Sequence, residues 1–212
     1  MVIYSYVIEH DLGLAPNPFG RYCTLAVCKP KIRGSSKLNL GDWVIGTGSK
    51  ALEVSTGKRR LRNKLIYAMK VTDRVSLEDY WTDSRFQYKK PRMNGSRVAI
   101  FGDNFYHKDE NGKWIQEDSA HCKADGSCNL DHLKTDTSGN SVLISEHFYY
   151  FGANAPTIPN EFLGICHSGI GEKKFENEQI CDDFINWLST EFKTGIHGDP
   201  LNWQRNNQLS LF

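Results

Sequence analysis

Acidic, amide and imidazole side chains cluster in the middle of the chain, where they could carry proton transfer. Asp103, Asn104 and His107 lie in the segment GDNFYH, and His121 follows in SAHC. An aspartate can orient a histidine and fix its tautomer for general acid–base catalysis. We therefore name Asp103, His107 and His121 as candidate catalytic residues, and Asp136 as a weaker candidate. The alternative is that Asp103 and Asn104 hold a turn and that both histidines have only structural or surface roles.

The same region holds two histidines and two cysteines, which are chemically suitable for zinc. His121 and Cys122 are adjacent, Cys128 follows after five intervening residues, and His132 comes last. Zinc sites usually space their cysteines more closely, and the chain contains neither Cys-x-x-Cys nor His-Glu-x-x-His. We therefore predict no metal and no cofactor.

Aromatic and basic residues are interleaved near the predicted strand ends and along a short predicted helix. Aromatic faces stack on bases and cations neutralise phosphates, which suits a flipped base or a free nucleotide. Trp43 follows a turn and is expected to be buried. The alternative for the helix is that Trp81 belongs to the core and Arg85 pairs with Asp83 or Glu78. The candidate nucleotide-binding residues in this part of the argument are Lys29, Arg33, Tyr80, Trp81, Arg85, Lys89 and Asn104.

Composition and missing motifs exclude several classes of protein. The 212 residues carry a net charge of +1, so a strong global field for DNA is not expected. The sequence has no Walker loop, no Gly-x-Gly-x-x-Gly after a strand and no Gly-x-Ser-x-Gly. It also shows no signal peptide and no apolar run long enough to span a bilayer. We therefore predict a cytoplasmic protein without membrane contact, whose cysteines need not form disulfides.

The predicted elements mix strands and helices. Val2–Glu9 alternates apolar and polar residues, and Ser76 begins a capping-box pattern that predicts a helix. Residues 50–63 are polar and basic and are interpreted as an extended hairpin loop. A run of basic residues at the end of this segment either is simply solvated or contacts phosphate. The run consists of Lys58, Arg59, Arg60, Arg62 and Lys64. Further strands are predicted at 22–28, 43–47, 65–75, 97–101, 142–145 and 148–151, and a helix at 177–192.

Several strings along the chain resemble one family, the type 2 nucleotide modification associated domain. They include GDWVIGTGSK, YWTDSRFQYKKPRMNGS, SVLISEHFYYFGANAPTIP and GDPLNW, in family order. This resemblance implies an association with modified nucleotides in phages or bacteria, and it supplies no catalytic residues. The order of elements is similar to that of PUA, EVE and ASCH barrels, which implies a pocket at the strand ends with Thr47 and Ser49 as nucleotide-binding residues.

Taken together, the sequence predicts an α+β fold with a mixed or antiparallel sheet forming a partly closed PUA/EVE-like barrel. One domain spans 1–203, with a barrel core at about 1–101, a polar insertion at about 102–140, strands and a C-terminal helix at 141–193, and a tail at 204–212. The expected function is binding of a nucleotide or modified nucleobase, with or without catalysis, and DNA is a possible partner. The alternatives are a non-catalytic reader of a modified base and a structural or protein-interaction module.

Overall fold

A computed structural model describes residues 1–167, 169 and 171–204 of the chain. The predicted tail at 204–212 therefore lies outside the described residues except for Gln204. The strands are β1 (Ile3–Ile8), β2 (Cys23–Leu25), β3 (Trp43–Gly48), β4 (Leu65–Lys70), β5 (Asp73–Val75), β6 (Tyr106–Lys108), β7 (Trp114–Gln116), β8 (Val142–Ser145), β9 (His147–Tyr150), β10 (Glu172–Phe175) and β11 (Gly195–Ile196). The α-helices are α1 (Pro30–Arg33), α2 (Lys50–Thr56), α3 (Leu77–Thr82), α4 (Arg97–Ile100), α5 (Leu130–Thr137) and α6 (Glu178–Glu191). Short 3-10 segments occupy Ser84–Lys89, Gly152–Asn154, Asn160–Ile165 and Leu201–Gln204.

The chain divides into two compact units whose segments alternate along the sequence. The first unit comprises residues 1–12, 39–72 and the segment from Ser145 onward, and the second comprises 13–38 and 73–144. Each unit is therefore assembled from segments that are far apart in the sequence.

The first unit is built on a six-stranded mixed sheet in the order β10-β1-β3-β4-β9-β11. β1 runs parallel to β3 and β9 runs parallel to β11, whereas the other neighbours are antiparallel. α6 packs on this sheet through Cys181, Phe184 and Leu188, which are all fully buried. Their spacing of three and four residues puts them on one helical face, and the helix predicted at 177–192 is confirmed.

The second unit contains a three-stranded sheet in the order β2-β8-β5 and a two-stranded hairpin of β6 and β7. The helix predicted from the capping pattern is present as α3, and the Ser76 side chain accepts a hydrogen bond from the Asp79 N–H at 3.0 Å. In the described part of the chain, no helix is long and apolar enough to cross a membrane.

The predicted α+β class is confirmed, with helices and several sheets in one chain. None of the sheets formed by the described residues closes on itself, so the partly closed PUA/EVE-like barrel is not confirmed. The predicted strand at 65–75 is divided: β4 ends at Lys70 and β5 begins at Asp73.

Two predicted elements are wrong in type. The segment 50–63, interpreted as a hairpin loop, begins with α2, because Ser49 caps the helix by accepting the Leu52 N–H at 2.9 Å and Gly57 ends it with φ of 70°. The predicted strand at 97–101 is α4, which Ser96 caps through the Ala99 N–H at 3.3 Å. In both places a serine N-cap begins a short helix that the composition of the segment did not indicate.

Candidate active site

Cys28 and Lys29 form a turn in the second unit, a few residues after β2. The Cys28 thiol in this turn is half-buried. The sequence predicted a strand over 22–28, but β2 ends at Leu25. The backbone of both turn residues is in the left-handed region, with φ of 57° at Cys28 and 43° at Lys29. Residues with side chains rarely adopt this conformation, which persists where surrounding contacts impose it and which concentrates at functional sites.

Two buried groups hold this turn from both sides. The backbone N–H of Cys28 donates to Asp136 Oδ1 at 2.7 Å, and the Cys28 carbonyl accepts from Arg33 Nε at 2.7 Å. Arg33 also donates to the carbonyls of Asp136 and Ser141, each at 2.6 Å. Because its guanidinium is fully buried and engaged by the backbone, Arg33 positions the turn, and we do not retain it among the candidate ligands of a nucleotide.

His121 connects the Cys28 thiol to the Asp136 carboxylate. His121 Nε2 lies 4.0 Å from Cys28 Sγ, and His121 Nδ1 lies 3.0 Å from Asp136 Oδ2. The two nitrogens of one imidazole therefore face a possible nucleophile and an orienting carboxylate. This is the order of groups by which a histidine activates a thiol in covalent catalysis.

Asp136 comes from a helix whose burial pattern is unusual. α5 buries only Asp136 fully, whereas its apolar residue Leu130 is 68% exposed. The Asp136 carboxylate also accepts a hydrogen bond from the Tyr106 hydroxyl at 3.0 Å. A buried charge needs such partners to offset its desolvation, and the helix thus delivers a fully hydrogen-bonded carboxylate to His121.

The charges of His121 and Asp136 support each other. Burial favours the neutral imidazole, but the hydrogen bonds to Asp136 and Cys28 outweigh it and raise the pKa of His121 to about 9. Burial likewise opposes ionisation of Asp136, yet the hydrogen bond and charge of His121 hold the pKa of Asp136 below its usual value. At neutral pH the imidazole is cationic and the carboxylate anionic. The imidazolium and the carboxylate therefore form an ion pair beside the Cys28 sulfur.

Asp103, the predicted catalytic carboxylate, lies in a different and fully buried network. Its Oδ2 accepts from Thr24 Oγ1 at 2.6 Å and its Oδ1 accepts from the Tyr80 hydroxyl at 2.8 Å. Burial raises the pKa of Asp103 and lowers that of Lys89 to about 8. Lys89 Nζ donates to Asn17 Oδ1 at 2.7 Å. The network links segments of the second unit, and the structure does not bring Asp103 to His121.

Asn104 and Tyr80, both predicted to bind a nucleotide, also point inward. The Asn104 amide donates to the carbonyls of Tyr80 and Phe86 at 2.9 and 3.2 Å. Asn104 Oδ1 is buried without a hydrogen-bond partner among the described residues. With Asp103 and Lys89, these residues form an internal polar core of the second unit.

His107 and Trp81 lie together in a half-buried stack. Their ring centroids are 4.3 Å apart at an interplanar angle of 15°, and His107 Nε2 lies 2.8 Å from Glu117 Oε1. Lys90 Nζ lies 3.4 Å from the centroid of the Trp81 ring. The chain's own histidine therefore occupies a stacking position on Trp81, and the structure does not bring His107 to His121 through any hydrogen bond it records.

Arg85 is engaged in ion pairs beside α3. Its guanidinium lies 2.8 Å from Asp83 Oδ2 and 3.1 Å from Asp73 Oδ2, and hydrogen bonds to these carboxylates raise its pKa. The pairing with Asp83 is the one that the alternative interpretation expected. Both pairs are exposed to solvent, where they add little stability.

The remaining predicted binding residues divide between the two units. Lys29 adjoins Cys28 in the turn of the second unit. Thr47 and Ser49 belong to the first unit, where Thr47 Oγ1 donates to the Tyr6 carbonyl at 3.4 Å and Ser49 Oγ donates to the Ile8 carbonyl at 2.7 Å. Cys122 and Cys128 are half-buried free thiols, and no group of metal-binding side chains occurs within the described residues.

Sequence reasoning named both His121 and Asp136 as candidates, but it did not connect either of them with Cys28. It paired His121 with Asp103, although Asp103 is closer in the sequence to His107. It treated Asp136 as a weaker catalytic candidate. It placed Cys28 at the end of a strand with no chemical role. One feature of the sequence could have indicated the turn at Cys28. Pro30 follows two residues later, and proline does not continue a strand and often marks a turn.

The sequence of the whole chain was also compared with known proteins. The family model described as nucleotide modification associated domain 2 matches residues 1–207. No curated protein and no solved structure matches the chain. The family resemblance predicted from the sequence motifs is thereby confirmed.

Proposed function

We propose that this chain, which belongs to the nucleotide modification associated domain 2 family, acts on a nucleotide or nucleobase by covalent catalysis with Cys28 as the nucleophile. The observation that supports this proposal is the arrangement of Cys28, His121 and Asp136 around one imidazole. The family's association with nucleotide modification supports the substrate class. The strained turn at Cys28 adds support, because it fixes the sulfur before substrate arrives.

In the proposed reaction, the Cys28 thiolate donates an electron pair to an electrophilic carbon of the substrate and forms an S–C bond. The bond from that carbon to its leaving group breaks, and the leaving group takes the electron pair and a proton from His121. A water molecule then attacks the same carbon, His121 removes the water's proton, and the S–C bond breaks. The thiolate and the imidazolium are restored, while Asp136 remains anionic throughout.

Groups beside the thiol could hold the substrate during this reaction. Lys29 follows Cys28 directly and supplies a cation for a phosphate. His132 is exposed, and its ring centroid lies 4.5 Å from that of His121, so it borders the site on the α5 side. A reducing compartment such as the cytoplasm, expected from the sequence, would keep Cys28 as a free thiol.

The test is mass spectrometry of the full chain and of its products after incubation with a library of modified nucleotides. We expect Cys28→Ser to abolish turnover and any substrate adduct, and Cys122→Ser, the matched half-buried cysteine, to leave both unchanged. Labelling with iodoacetamide should be faster at Cys28 than at Cys122, and His121→Gln should slow the labelling of Cys28 alone. Undiminished turnover by Cys28→Ser would contradict the proposal.

A second candidate function is a reader that binds a modified base without altering it. Trp81, a half-buried indole with a cation beside it, is the side chain on which the base would stack, and the base would first have to displace His107 or Lys90 from the indole ring. A stacked base contributes about 1–3 kcal/mol, so Trp81→Ala should weaken oligonucleotide binding about tenfold or more. Trp114→Ala, at another half-buried tryptophan with a lysine over its ring, is the control. If Trp81→Ala lowers only the melting temperature, Trp81 is structural and the reader proposal loses its support.

A further inference from the structure

A cavity of about 450 Å³ lies in the first unit, and the proposed catalysis makes no use of it. One of its walls is a row of side chains across the sheet: Trp43 on β3 pairs with Lys70 on β4, and Lys70 pairs with His147 on β9. Residues directly opposite one another on neighbouring strands have Cβ atoms about 4.5–5.5 Å apart on one face. The ammonium group of Lys70 therefore stands beside the exposed imidazole of His147, whereas Trp43 is only 2% exposed and belongs mainly to the core.

The facing wall is the polar side of α6, which contributes Asp182, Ile185, Asn186 and Ser189. These residues are spaced by three, one and three positions, which places them on one face of the helix. The same helix uses its other positions to pack into the core. The cavity is therefore lined by one face of the sheet and one face of α6, together with Met1.

The two charged side chains of the lining differ from the N-terminal ammonium of Met1, which lies 3.6 Å from Glu178 Oε1. Neither Lys70 nor Asp182 forms an ion pair with any residue that the structure describes. His147 stands edge-on to Trp43 with ring centroids 5.4 Å apart. Burial and the charge of Lys70 lower the pKa of His147, so its imidazole is neutral at physiological pH and can both donate and accept a hydrogen bond.

We propose that this cavity binds a nucleoside monophosphate, with Lys70 at the phosphate and with Asp182 and Asn186 at the hydrogen-bonding edge of the base. A ligand of this class carries one anionic group, one flat ring and one edge of donors and acceptors, which matches the Lys70 cation, the exposed His147 imidazole, and the carboxylate and amide of the lining. The volume lies within the range of about 300–1,000 Å³ that is usual for small-molecule sites. The site goes beyond the proposed covalent catalysis, because none of its lining residues takes part in it.

The experiment is calorimetric titration of the full chain with AMP, GMP, CMP and UMP, each compared with its nucleoside and with inorganic phosphate. We expect at least one monophosphate to bind at millimolar concentration or below, and Lys70→Met to weaken that binding about tenfold, the effect of removing one charge-assisted hydrogen bond of about 1.4 kcal/mol. Asp182→Asn should change the preference among the four bases. Lys193→Met and Asp183→Asn are the matched controls at exposed positions, the latter on the adjacent residue of α6.

Three results would overturn this inference: no heat with any monophosphate, equal affinity in wild type and Lys70→Met, or inorganic phosphate binding as tightly as the best nucleotide. The melting temperature of each variant shows whether it is folded. If Lys70→Met is not folded, the base preference of Asp182→Asn still tests the inference, because Asp182 is an exposed side chain. Failure at the cavity with intact turnover at Cys28, or the reverse, therefore separates this inference from the proposed function.

Discussion

At the scale of single residues, one carboxylate organises the candidate active site. Asp136 accepts hydrogen bonds from the Cys28 N–H, from the Tyr106 hydroxyl and from His121. The same group therefore fixes the turn that carries Cys28 and the orientation of the His121 imidazole. A substitution at Asp136 is expected to disturb both, whereas a substitution at His121 tests the ionic interaction alone.

The raised pKa of His121 predicts a stability that depends on pH. A group whose pKa is higher in the folded state than in the unfolded state stabilises the fold below the unfolded value, and this stabilisation is lost as pH rises through the folded value. For His121 that window runs from 6.5 to about 9. The shift corresponds to roughly 3 kcal/mol, so the difference in unfolding free energy between wild type and His121→Gln should shrink across this window.

The measurement is urea denaturation of both proteins at several pH values. Comparison with His121→Gln is necessary because buried Lys89, whose pKa is lowered to about 8, acts in the opposite direction: the cost of its buried charge disappears as pH rises. Wild type and His121→Gln share the contribution of Lys89, so it cancels in the difference between their unfolding free energies. A free-energy difference that stays constant from neutral to alkaline pH would show that the imidazolium of His121 gains nothing from Asp136.

At the scale of elements, the long helix α6 and the short helix α3 with its capping pattern were predicted, whereas the short helices α2 and α4 were not. α6 matches its pattern because burial of one helical face fixes the period of its apolar residues. α2 and α4 were missed because their helices are short and depend on a single serine cap. Their polar and apolar residues do not repeat over enough turns to show a period, so only the cap and the terminal glycine could have indicated a helix.

Ser49 allows this element-level interpretation to be tested. Its hydroxyl accepts the Leu52 N–H and donates to the Ile8 carbonyl, so Ser49→Ala should destabilise the protein by about 1 kcal/mol, the usual cost of losing an N-cap. Thermal denaturation measures this loss. Ser138→Ala, at an exposed serine after α5, is the control. If Ser49→Ala instead weakens nucleotide binding at unchanged stability, the sequence-based prediction of Ser49 as a ligand is the better one.

At the scale of the whole molecule, the sequence predicted the α+β class and the family, but it did not connect Cys28 with His121 and Asp136. Composition and pattern report which segments are buried, and the string of motifs identified the family. The contact of His121 with Cys28 joins residues 93 apart in sequence, and the contact of Asp136 with the Cys28 backbone joins residues 108 apart. No local pattern encodes such pairings, because they depend on how the segments of the second unit fold together.

The net charge of +1 leads to a prediction about polymeric ligands. Without a global basic field, any salt-dependent binding to DNA must come from a local cluster. The loop between α2 and β4 holds such a cluster, with Arg59, Arg60 and Arg62 exposed. If DNA is a partner, changing all three to Gln should reduce the slope of log affinity against log salt concentration by about 0.9 for each phosphate that the loop no longer neutralises.

Fluorescence anisotropy with a labelled duplex over a salt series measures this slope. The control triple Lys31→Gln, Lys37→Gln and Lys123→Gln removes the same three charges at exposed positions, so both variants change the net charge from +1 to −2. A general charge effect lowers the slope equally in both triples, whereas a phosphate-contacting loop lowers it only in the arginine triple. An unchanged slope in the arginine triple would mean that this loop is only solvated, and that the protein acts on free nucleotides or reaches DNA through another surface.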